Sequence, residues 1–509
     1  MESATLLENS YWGYWATVGL FALIFMCATA IGAVTYNVFF HPLARFPGPR
    51  FAATTRLVKH FKAIQGVQHQ WIKEQHDIYG PVVRIGPNIL SYTNPEAQKD
   101  VCGHRTATHK ANLKDFTFFA KEVNGVPSLV SIEDHEEHGR VRRIFSNAFS
   151  DKALKEQEPL IRKYADKLVA SLTNQVAAGK APDIVKMYNC ATFDVMGDLC
   201  FGQSLGLLED SEYSPWVKAI FEGFKALQLA GASRDYPFFA PLLDLLIPRS
   251  LQKKRQDHFQ YSADRVNKRL NTNTDRPDIW TLVLRHQEKG NGLSMAQMHS
   301  NASLFMVAGT ETTATLLSGL TDLLLKHPDK LAILTAEIRN SVTTTDELTI
   351  NNLQRLTYLQ ACLTEGLRLY PPTPLGSPRI VPEGGNVICN EFLPAGTNIC
   401  VNYWAAFRCA DNFYRPEAFL PERWLPEPPH EFANDKRDVM QPFSVGPYAC
   451  LGKNLAYHEM RLILAKVLYN FDLVPYVANE SKMDRDWSDH KVFGLWEKPP
   501  LPVKLVKRS

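Results

Sequence analysis

Residues 9–44 contain no Asp, Glu, Lys or Arg, and this stretch limits how the chain can fold more than any other. Its centre, residues 15–34, has the length of a helix that crosses a bilayer, which needs about 20 apolar residues. Aromatic residues that favour a membrane surface stand at its start, namely Tyr11, Trp12, Tyr14 and Trp15. A cleaved signal peptide is the alternative, but Glu2 and Glu8 make the preceding segment acidic rather than basic.

Basic residues follow the apolar stretch and orient it, because positively charged flanks stay on the cytosolic side of a membrane. They are Arg45, Arg50, Arg56, Lys59 and Lys62. Three prolines within residues 41–50 then block a continuing helix and predict a semi-rigid hinge. The sequence therefore predicts a membrane anchor over 1–40, a proline-rich hinge over 41–50 and a cytosolic domain over 51–509.

The part after the hinge has mostly helical patterns and a small β component. Short β-branched runs occur at 82–85 and 89–92, helical periodicity dominates 133–370, and strands with turn signals recur over 379–401. No linker interrupts 51–509, so we predict one large, mainly α domain with small β sheets. The nine cysteines are dispersed, as is typical of a reducing compartment, and a net charge of +3 gives no reason to expect nucleic-acid binding.

One cysteine lies in a glycine-framed run near the end of the chain. Residues 443–452 read Phe-Ser-Val-Gly-Pro-Tyr-Ala-Cys-Leu-Gly, ahead of a predicted helix. Gly446 and Gly452 permit backbone conformations closed to other residues and a close approach to a flat ligand. Nearby N–H groups and the positive end of the helix would favour the thiolate of Cys450, although a free thiol has a pKa of about 8.5. A buried structural cysteine is the alternative.

A second pattern lies within residues 294–326, which we predict to form one long helix with Ser294 as its N-cap. Its middle reads Ala-Gly-Thr-Glu-Thr-Thr over residues 308–313. A glycine inside a helix costs about 1 kcal/mol relative to alanine, so Gly309 needs a reason. One reason is space for a small ligand beside the helix. The other is a kink caused by Thr hydroxyls that bond to carbonyls one turn earlier.

Both patterns resemble those of the cytochrome P-450 family. Residues 443–452 are similar to its cysteine loop, Phe-x-x-Gly-x-Arg-x-Cys-x-Gly, and residues 308–312 to its Ala/Gly-Gly-x-Asp/Glu-Thr pattern. One position departs, because Tyr448 stands where the family usually has Arg or His against a haem propionate. The resemblance implies haem b with Cys450 as the axial ligand of its iron, a thiolate that favours O–O cleavage over oxygen carriage.

The resemblance also implies roles for the neighbours of this cysteine and for the predicted helix. Phe443 and Gly446 would lie beside the cofactor. Glu311 and Thr312 would form an acid–alcohol pair on the distal side, delivering the protons that O–O cleavage consumes.

Three residues outside the cysteine loop match propionate-binding positions of the family. Residues 137–149 look like its Trp-x-x-x-Arg helix, with His138 at the Trp position and Arg142 at the Arg position. His138 could still donate a hydrogen bond as a neutral ring. Arg379 matches a further propionate-binding arginine, although a solvated surface charge is the alternative for any single arginine.

A charged pair that looks structural lies between the two patterns. Glu365 and Arg368 stand three residues apart on a predicted helix with apolar flanks, and they resemble the family's Glu-x-x-Arg motif. Arg423 matches the arginine that the family sends to the same glutamate. The resemblance implies a buried charge trio that supports the cysteine loop, and loss of one partner would cost about 3–5 kcal/mol.

The function implied is that of a microsomal haem-thiolate monooxygenase, anchored once in the endoplasmic reticulum membrane with a cytosolic catalytic domain. Electrons would come from NADPH through NADPH-cytochrome P-450 reductase, with cytochrome b5 as an optional second donor. The substrate would be a lipophilic small molecule that is hydroxylated, epoxidised or desaturated, because the substrate-facing segments expected by analogy (105–124, 304–308, 373–377 and 492–495) are largely apolar. Three short runs look like those of the fungal branch that tailors terpenoids and polyketides: Phe-Phe-His-Pro-Leu-Ala over 39–44, Pro-Glu-Gly-Gly over 382–385 and Gly-Lys-Asn-Leu-Ala over 452–456.

Two rival functions remain open at the level of sequence. A haem-thiolate isomerase or dehydratase would rearrange a peroxide without a reductase, and the Glu311–Thr312 pair argues against it. A non-catalytic membrane haem sensor would bind the cofactor but consume no NADPH.

Overall fold

The chain was analysed as a computed structural model, which describes residues 2–104, 110–119, 122–214, 216–218, 228, 231–236, 238, 248–272, 274, 276–287, 292–476 and 487–508. Helices dominate these residues and the strands form small sheets, so the predicted fold class is confirmed.

The N-terminal segment is helical as predicted. Helix α1 spans Glu2–Thr35 and continues as a short π-helix over Tyr36–Phe40. Within it, the 27 residues Tyr14–Phe40 are long and apolar enough to cross a membrane, and none of the window is buried against the rest of the protein.

The predicted hinge packs against the first sheet. Leu43 is fully buried, and the Pro47 carbonyl accepts a hydrogen bond from the Arg84 N–H at 2.7 Å. The Arg84 guanidinium donates to the Asn37 carbonyl at 2.8 Å, which ties the end of the apolar segment to the same strand. The hinge is therefore held at several points along its length.

Seventeen further α-helices follow in the described residues. In chain order they are α2 Arg50–Thr54, α3 Leu57–Gln65, α4 Gln68–Tyr79, α5 Pro95–Cys102, α6 His135–Ser146, α7 Asp151–Ala177, α8 Ile184–Phe201, α9 Leu207–Asp210, α10 Arg249–Leu270, α11 Ile279–Gln287, α12 Met295–Ala308, α13 Glu311–Lys326, α14 Pro328–Ser341, α15 Ile350–Leu353, α16 Thr357–Leu369, α17 Tyr403–Phe407 and α18 Lys453–Asn470.

The described strands form one five-stranded sheet and two smaller sheets of two strands each. The strands are β1 Val82–Gly86, β2 Ile89–Tyr92, β3 Leu113–Lys114, β4 Arg379–Ile380, β5 Asn386–Ile388, β6 Glu391–Leu393, β7 Asn398–Val401, β8 Phe471–Pro475 and β9 Val503–Lys507. The sheet has the order β1-β2-β7-β4-β3, with β2 and β7 parallel and the other pairs antiparallel. The pairs β5–β6 and β8–β9 form separate antiparallel two-stranded sheets, and β8 and β9 were not anticipated from the sequence.

The core is built around α8, which is buried along almost its whole length and packs against α7, α12 and α13. Helix α18 packs on α7, α13 and α16. This packing sets the cysteine loop, which precedes α18, and the junction of α12 with α13 around one interior space.

Candidate active site

The cysteine loop is closed by hydrogen bonds within the backbone. A 3₁₀ turn at Gly446–Tyr448 precedes Cys450, whose N–H donates to the Phe443 carbonyl at 2.8 Å. Gly446 has a φ of +77°, and a Cβ there would lie 2.1 Å from the Cys102 carbonyl oxygen. Glycine is therefore required at this position by the protein's own backbone as well as by any ligand.

The Cys450 side chain is exposed, and it opens into an internal cavity rather than onto the outer surface. Burial raises the pKa of its thiol, while a hydrogen bond from the Gly452 N–H and the charges of Arg142 and Lys453 act in the opposite direction. Helix α18 begins at Lys453, so its positive end lies close to the sulfur. The loop thus supplies several of the contacts that a thiolate needs.

The cavity has a volume of about 330 Å³ and is mostly apolar. The cysteine loop lines it with Phe443, Tyr448 and Gly452, and the α12–α13 junction lines it with Gly309 and Thr312. Further lining residues from segments expected to face substrate are Phe119, Leu304, Phe305, Ala308, Thr373 and Ser377. Residues 492–495 do not line it, and residues 105–109 and 120–121 of the expected loop lie outside the described residues.

The prediction of one continuous helix over 294–326 is wrong, because the helix breaks at residues 309–310. Ser294 does cap α12, in a reciprocal capping box with Gln297.

At the break, the Thr310 hydroxyl donates to the Met306 carbonyl at 2.6 Å, and the Thr312 hydroxyl donates to the Ala308 carbonyl at 2.8 Å. These side-chain bonds to carbonyls four residues earlier, together with the low helix propensity of Gly309, favour a break at this point.

Gly309 is confined by packing as well as by the cavity. A Cβ on this residue would lie 2.7 Å from the Met196 sulfur, and both residues line the cavity. A larger residue would therefore displace Met196 as well as narrow the cavity.

The two members of the predicted acid–alcohol pair differ in their surroundings. Thr312 lines the cavity, whereas the Glu311 side chain is not part of the lining and is buried in an ion pair with Lys498, with 2.5 Å between Oε1 and Nζ. Sequence analysis missed Lys498, because it lies 187 residues further along the chain and carries no motif.

A group of cations lies in another part of the cavity wall. Arg379 in β4 and Lys114 in β3 are register partners and are both almost completely buried, and the half-buried Arg142 donates to the Ala449 carbonyl at 2.7 Å. No carboxylate of the described residues forms a salt bridge with any of the three, and the Arg379 Nε has no hydrogen-bond partner there. Burial, and then the charges of Arg379 and Arg142, lower the pKa of Lys114 to about 7.

Like charges placed opposite each other in a sheet are unfavourable, so this cluster calls for an anionic ligand. Lys114 was also missed from the sequence, since a two-residue strand leaves no periodic signal.

Tyr448 lies among these cations. Its ring centroid is 4.7 Å from the Lys114 Nζ and 5.2 Å from the Arg379 Cζ, and its hydroxyl lies 3.1 Å from the His135 Nδ1. The His138 ring meets it edge to face at 4.7 Å. Burial, and then the charges of Lys114 and Arg142, lower the pKa of His138 to about 3, so this ring is neutral at pH 7.

The structure brings the three predicted structural residues together. Glu365 accepts hydrogen bonds from Arg368 at 2.7 and 2.8 Å and from Arg423 at 3.2 Å, and all three side chains are fully buried. The Trp424 indole donates to the same carboxylate at 2.8 Å, and Arg423 also pairs with Asp435. Burial raises the pKa of Glu365, but Arg368 and Arg423 outweigh burial and hold this pKa below its usual value.

Glu459 in α18 is a second acid that sequence analysis missed. It lines the cavity, is completely buried, and neither carboxyl oxygen has a hydrogen-bond partner among the described residues. Burial raises its pKa well above the usual value, which favours the neutral form.

These residues fit a haem. The Cys450 sulfur is exposed inside a mostly apolar cavity. The cations Lys114, Arg142 and Arg379, which no carboxylate of the described residues neutralises, could receive two carboxylates of a ligand. A Cβ at Gly452 would meet no protein atom within 4 Å, so there is open space beside this residue. The cavity and its cations together match a flat apolar macrocycle with acidic edges.

The comparisons with known proteins agree with this geometry. A family model described as Cytochrome P450 matches residues 47–501. Cytochrome P450 monooxygenase efuB of Hormonema carpetanum is 44% identical to this chain over 98% of both proteins. Cytochrome P450 monooxygenase FUM2 of Gibberella moniliformis is 46% identical over 93% of this chain and 99% of the relative. The trichothecene C-15 hydroxylase of Fusarium sporotrichioides is 40% identical over 99% of this chain and 100% of the relative.

Proposed function

The chain belongs to the cytochrome P450 family, and from that premise we propose that it hydroxylates a lipophilic terpenoid or polyketide in fungal secondary metabolism. Family membership makes it a haem-thiolate monooxygenase with haem b as cofactor and a reductase, normally NADPH-dependent, as its electron source. The observation that carries the proposal is the Cys450 side chain, which is exposed inside an apolar cavity shared with Thr312. Hydroxylation is preferred to epoxidation or desaturation because two relatives are named as hydroxylases.

Haem, when bound, supplies the activation of dioxygen. We assign Cys450 as the ligand of its iron, because this sulfur opens into the cavity and receives the Gly452 N–H. Arg142 and Arg379 would hold the propionates with Lys114. His138 and Tyr448 would pack beside them, and Phe443 and Gly446 would shape the loop.

The protein's own contribution to the reaction is the supply of protons and the exclusion of water. The balanced reaction takes RH, O₂, two electrons and two protons to ROH and water, so two protons must reach the cavity in each cycle. Thr312 presents a hydroxyl there, and its bond to the Ala308 carbonyl fixes the side chain. We propose that Glu311, the preceding residue, is the acid that resupplies this hydroxyl.

The substrate would bind between the cysteine loop and the break of the helix. The side chains there are mainly apolar, with Phe119, Leu304 and Phe305 as the largest, and Thr373 and Ser377 as the polar exceptions. Such a surface favours a lipophilic molecule with few oxygen atoms at its buried end.

The remaining residue assignments and the boundaries are proposals of the same kind. Glu365, Arg368 and Arg423 would support the cysteine loop without touching the cofactor. Residues 1–40 would anchor the protein in the endoplasmic reticulum membrane, 41–50 would form the hinge, and 51–509 would be the catalytic domain on the cytosolic side. NADPH-cytochrome P-450 reductase would be the electron donor, with cytochrome b5 as an additional one.

The test uses membranes that contain the full chain together with a P450 reductase and NADPH. We expect a red-shifted Soret band after reduction and carbon monoxide treatment, NADPH consumption on addition of extracts rich in fungal terpenoids and polyketides, and a product heavier by one oxygen atom. Turnover without reductase would favour the isomerase or dehydratase, and haem binding without NADPH consumption would favour the sensor. Thr312→Ala should divert the electrons to hydrogen peroxide, and unchanged coupling in this variant would contradict the assignment of Thr312.

A further inference from the structure

The carboxylate of Glu311 is held by one lysine inside the protein. Lys498 Nζ lies 2.5 Å from Glu311 Oε1 and donates to the Thr315 hydroxyl at 2.9 Å. The two charged side chains are 4% and 1% exposed. Because both ions are buried, each depends on the other for its charge, and loss of either partner changes the state of the survivor.

Lys498 belongs to a segment that is fixed on both sides. Before it, the Trp496 indole donates to the Pro371 carbonyl at 2.8 Å. After it, the Leu501 N–H donates to the Asp183 carboxylate at 2.9 Å, where Asp183 caps α8. The ammonium is therefore delivered to Glu311 by a backbone that is tied to the core, and it is not a loosely placed surface lysine.

The pair leaves half of the carboxylate unused. Glu311 Oε2 is buried and has no hydrogen-bond partner among the described residues, whereas Oε1 receives the ammonium. Burial raises the pKa of Glu311, and the charge and hydrogen bond of Lys498 lower it. Without Lys498, only the weak contact with Thr315 would oppose burial. The pKa of the carboxyl would then rise further, which hinders the release of its proton.

We propose that Lys498 is a positioning residue that keeps Glu311 able to exchange protons with the Thr312 hydroxyl. This inference rests on the proposed function, since it requires Thr312 to deliver protons in the cavity. Lys498 itself does not line the cavity. It holds Oε1, while Oε2 has no hydrogen-bond partner among the described residues. Thr312 releases its hydroxyl proton into the cavity and takes one from the Glu311 carboxyl, and the ammonium stabilises the carboxylate left behind until a proton from water restores it.

The test is a double-mutant cycle with Lys498→Met, Glu311→Gln and the combined variant. Each is measured in the full chain with reductase and the compound that the extract screen identifies, as product formed per NADPH consumed and as hydrogen peroxide released. We expect coupling to fall about tenfold or more in each single variant, because general acid catalysis contributes at least that much. The combined variant should be no worse than Glu311→Gln alone, because Lys498 acts only through Glu311.

A spectroscopic readout separates this role from general support of the fold. In infrared difference spectra of Lys498→Met against the combined variant, we expect the carbonyl stretch of a protonated carboxylic acid at Glu311. The matched control is Lys466→Met, which removes another buried lysine from an ion pair, with Asp166, and should stay coupled. If Lys498→Met fails to retain haem, Glu311→Gln and the combined variant still decide whether Lys498 acts through Glu311 or only supports the fold.

The outcomes distinguish this inference from the proposed function. Wild-type coupling in Lys498→Met, with Thr312→Ala uncoupled, would overturn the role of Lys498 and leave the proposed function intact. Losses that multiply in the combined variant would also overturn it. Uncoupling by Glu459→Gln but not by Glu311→Gln would identify the orphan acid of α18 as the donor instead. Normal coupling in Thr312→Ala would contradict the relay itself.

Discussion

Replacing Glu365 by Gln tests whether the buried charge trio holds the cysteine loop in place. The carboxylate accepts five hydrogen bonds, two from Arg368 and one each from Arg423, Leu420 and Trp424, at 2.7 to 3.2 Å. Glutamine has nearly the same shape but no charge, and its amide nitrogen would face a guanidinium. The substitution therefore removes the charge while it changes the packing very little.

The size of the effect follows from what each arginine keeps. Arg423 still pairs with Asp435, whereas Arg368 loses its only carboxylate among the described residues and keeps hydrogen bonds to three backbone carbonyls. One buried cation is thus left without an anion, which costs about 3–5 kcal/mol. This is a large share of the roughly 5–15 kcal/mol that stabilises a typical domain.

The assay is urea denaturation of the haem-loaded protein, followed by far-ultraviolet circular dichroism and by the Soret band of the reduced, carbon-monoxide-treated form. We expect both midpoints to fall in Glu365→Gln, with the Soret signal lost first, because the trio supports the loop that carries Cys450. The double variant Glu365→Leu/Arg368→Met removes both partners and should be more stable than Glu365→Gln. An unchanged midpoint, or a double variant less stable than the single one, would refute the argument.

Three further predictions concern the loop, the cationic cluster and pH. Gly446→Ala places a methyl group 2.1 Å from the Cys102 carbonyl oxygen, so we expect normal helix content by circular dichroism but little bound haem. The control Gly396→Ala also has a positive φ but no clash, and it should retain haem. Equal haem content in the two variants would contradict the effect of the clash. Arg379→Met removes a buried hydrogen-bond partner of an anionic ligand, and it should speed the transfer of haem to apomyoglobin about tenfold. The reason is that a hydrogen bond to a charged group contributes about 1.5–3 kcal/mol. An unchanged transfer rate would exclude Arg379 from the cofactor site. Burial lowers the pKa of His76 to about 4, so between pH 6.5 and 4 only the unfolded chain takes up a proton at this residue. As the pH falls through this range, the free energy of unfolding should therefore fall by about 1.4 kcal/mol per pH unit on account of His76. In urea titrations, His76→Phe should lose less stability per pH unit than the wild type, and an equal loss would contradict the argument.

Local patterns in the sequence were enough to predict the elements that carry the most regular signals. The apolar run predicted α1, the β-branched runs predicted β1 and β2, and Ser294 as an N-cap predicted the start of α12. Each of these signals is complete within about ten to thirty residues, so it does not depend on the rest of the fold.

The same reasoning failed where distant parts of the chain decide the outcome. Residues 294–326 contain no proline that would mark the end of a helix, yet the helix breaks after Ala308, where Met196 of the distant α8 leaves no room for a side chain on Gly309. Lys114 has no motif of its own, and it becomes part of the site because β3 pairs with β4 and places it opposite Arg379. Lys498 reaches Glu311 across 187 residues, and a single lysine gives no sign of such a partner in the sequence.

The three buried glutamates around the cavity show why residue type alone could not assign their roles. Glu365 meets two guanidiniums, which cannot give up their protons, so it stays ionised and can only hold structure. Glu459 meets no partner among the described residues, and burial alone raises its pKa well above the usual value. Glu311 lies between the fully paired Glu365 and the unpaired Glu459. Lys498 opposes the effect of burial on the pKa of Glu311, while Oε2 has no hydrogen-bond partner among the described residues. A carboxyl that must both give and regain a proton near neutral pH needs this balance, so the partners of each acid, rather than its position in a motif, make Glu311 the one suited to the relay.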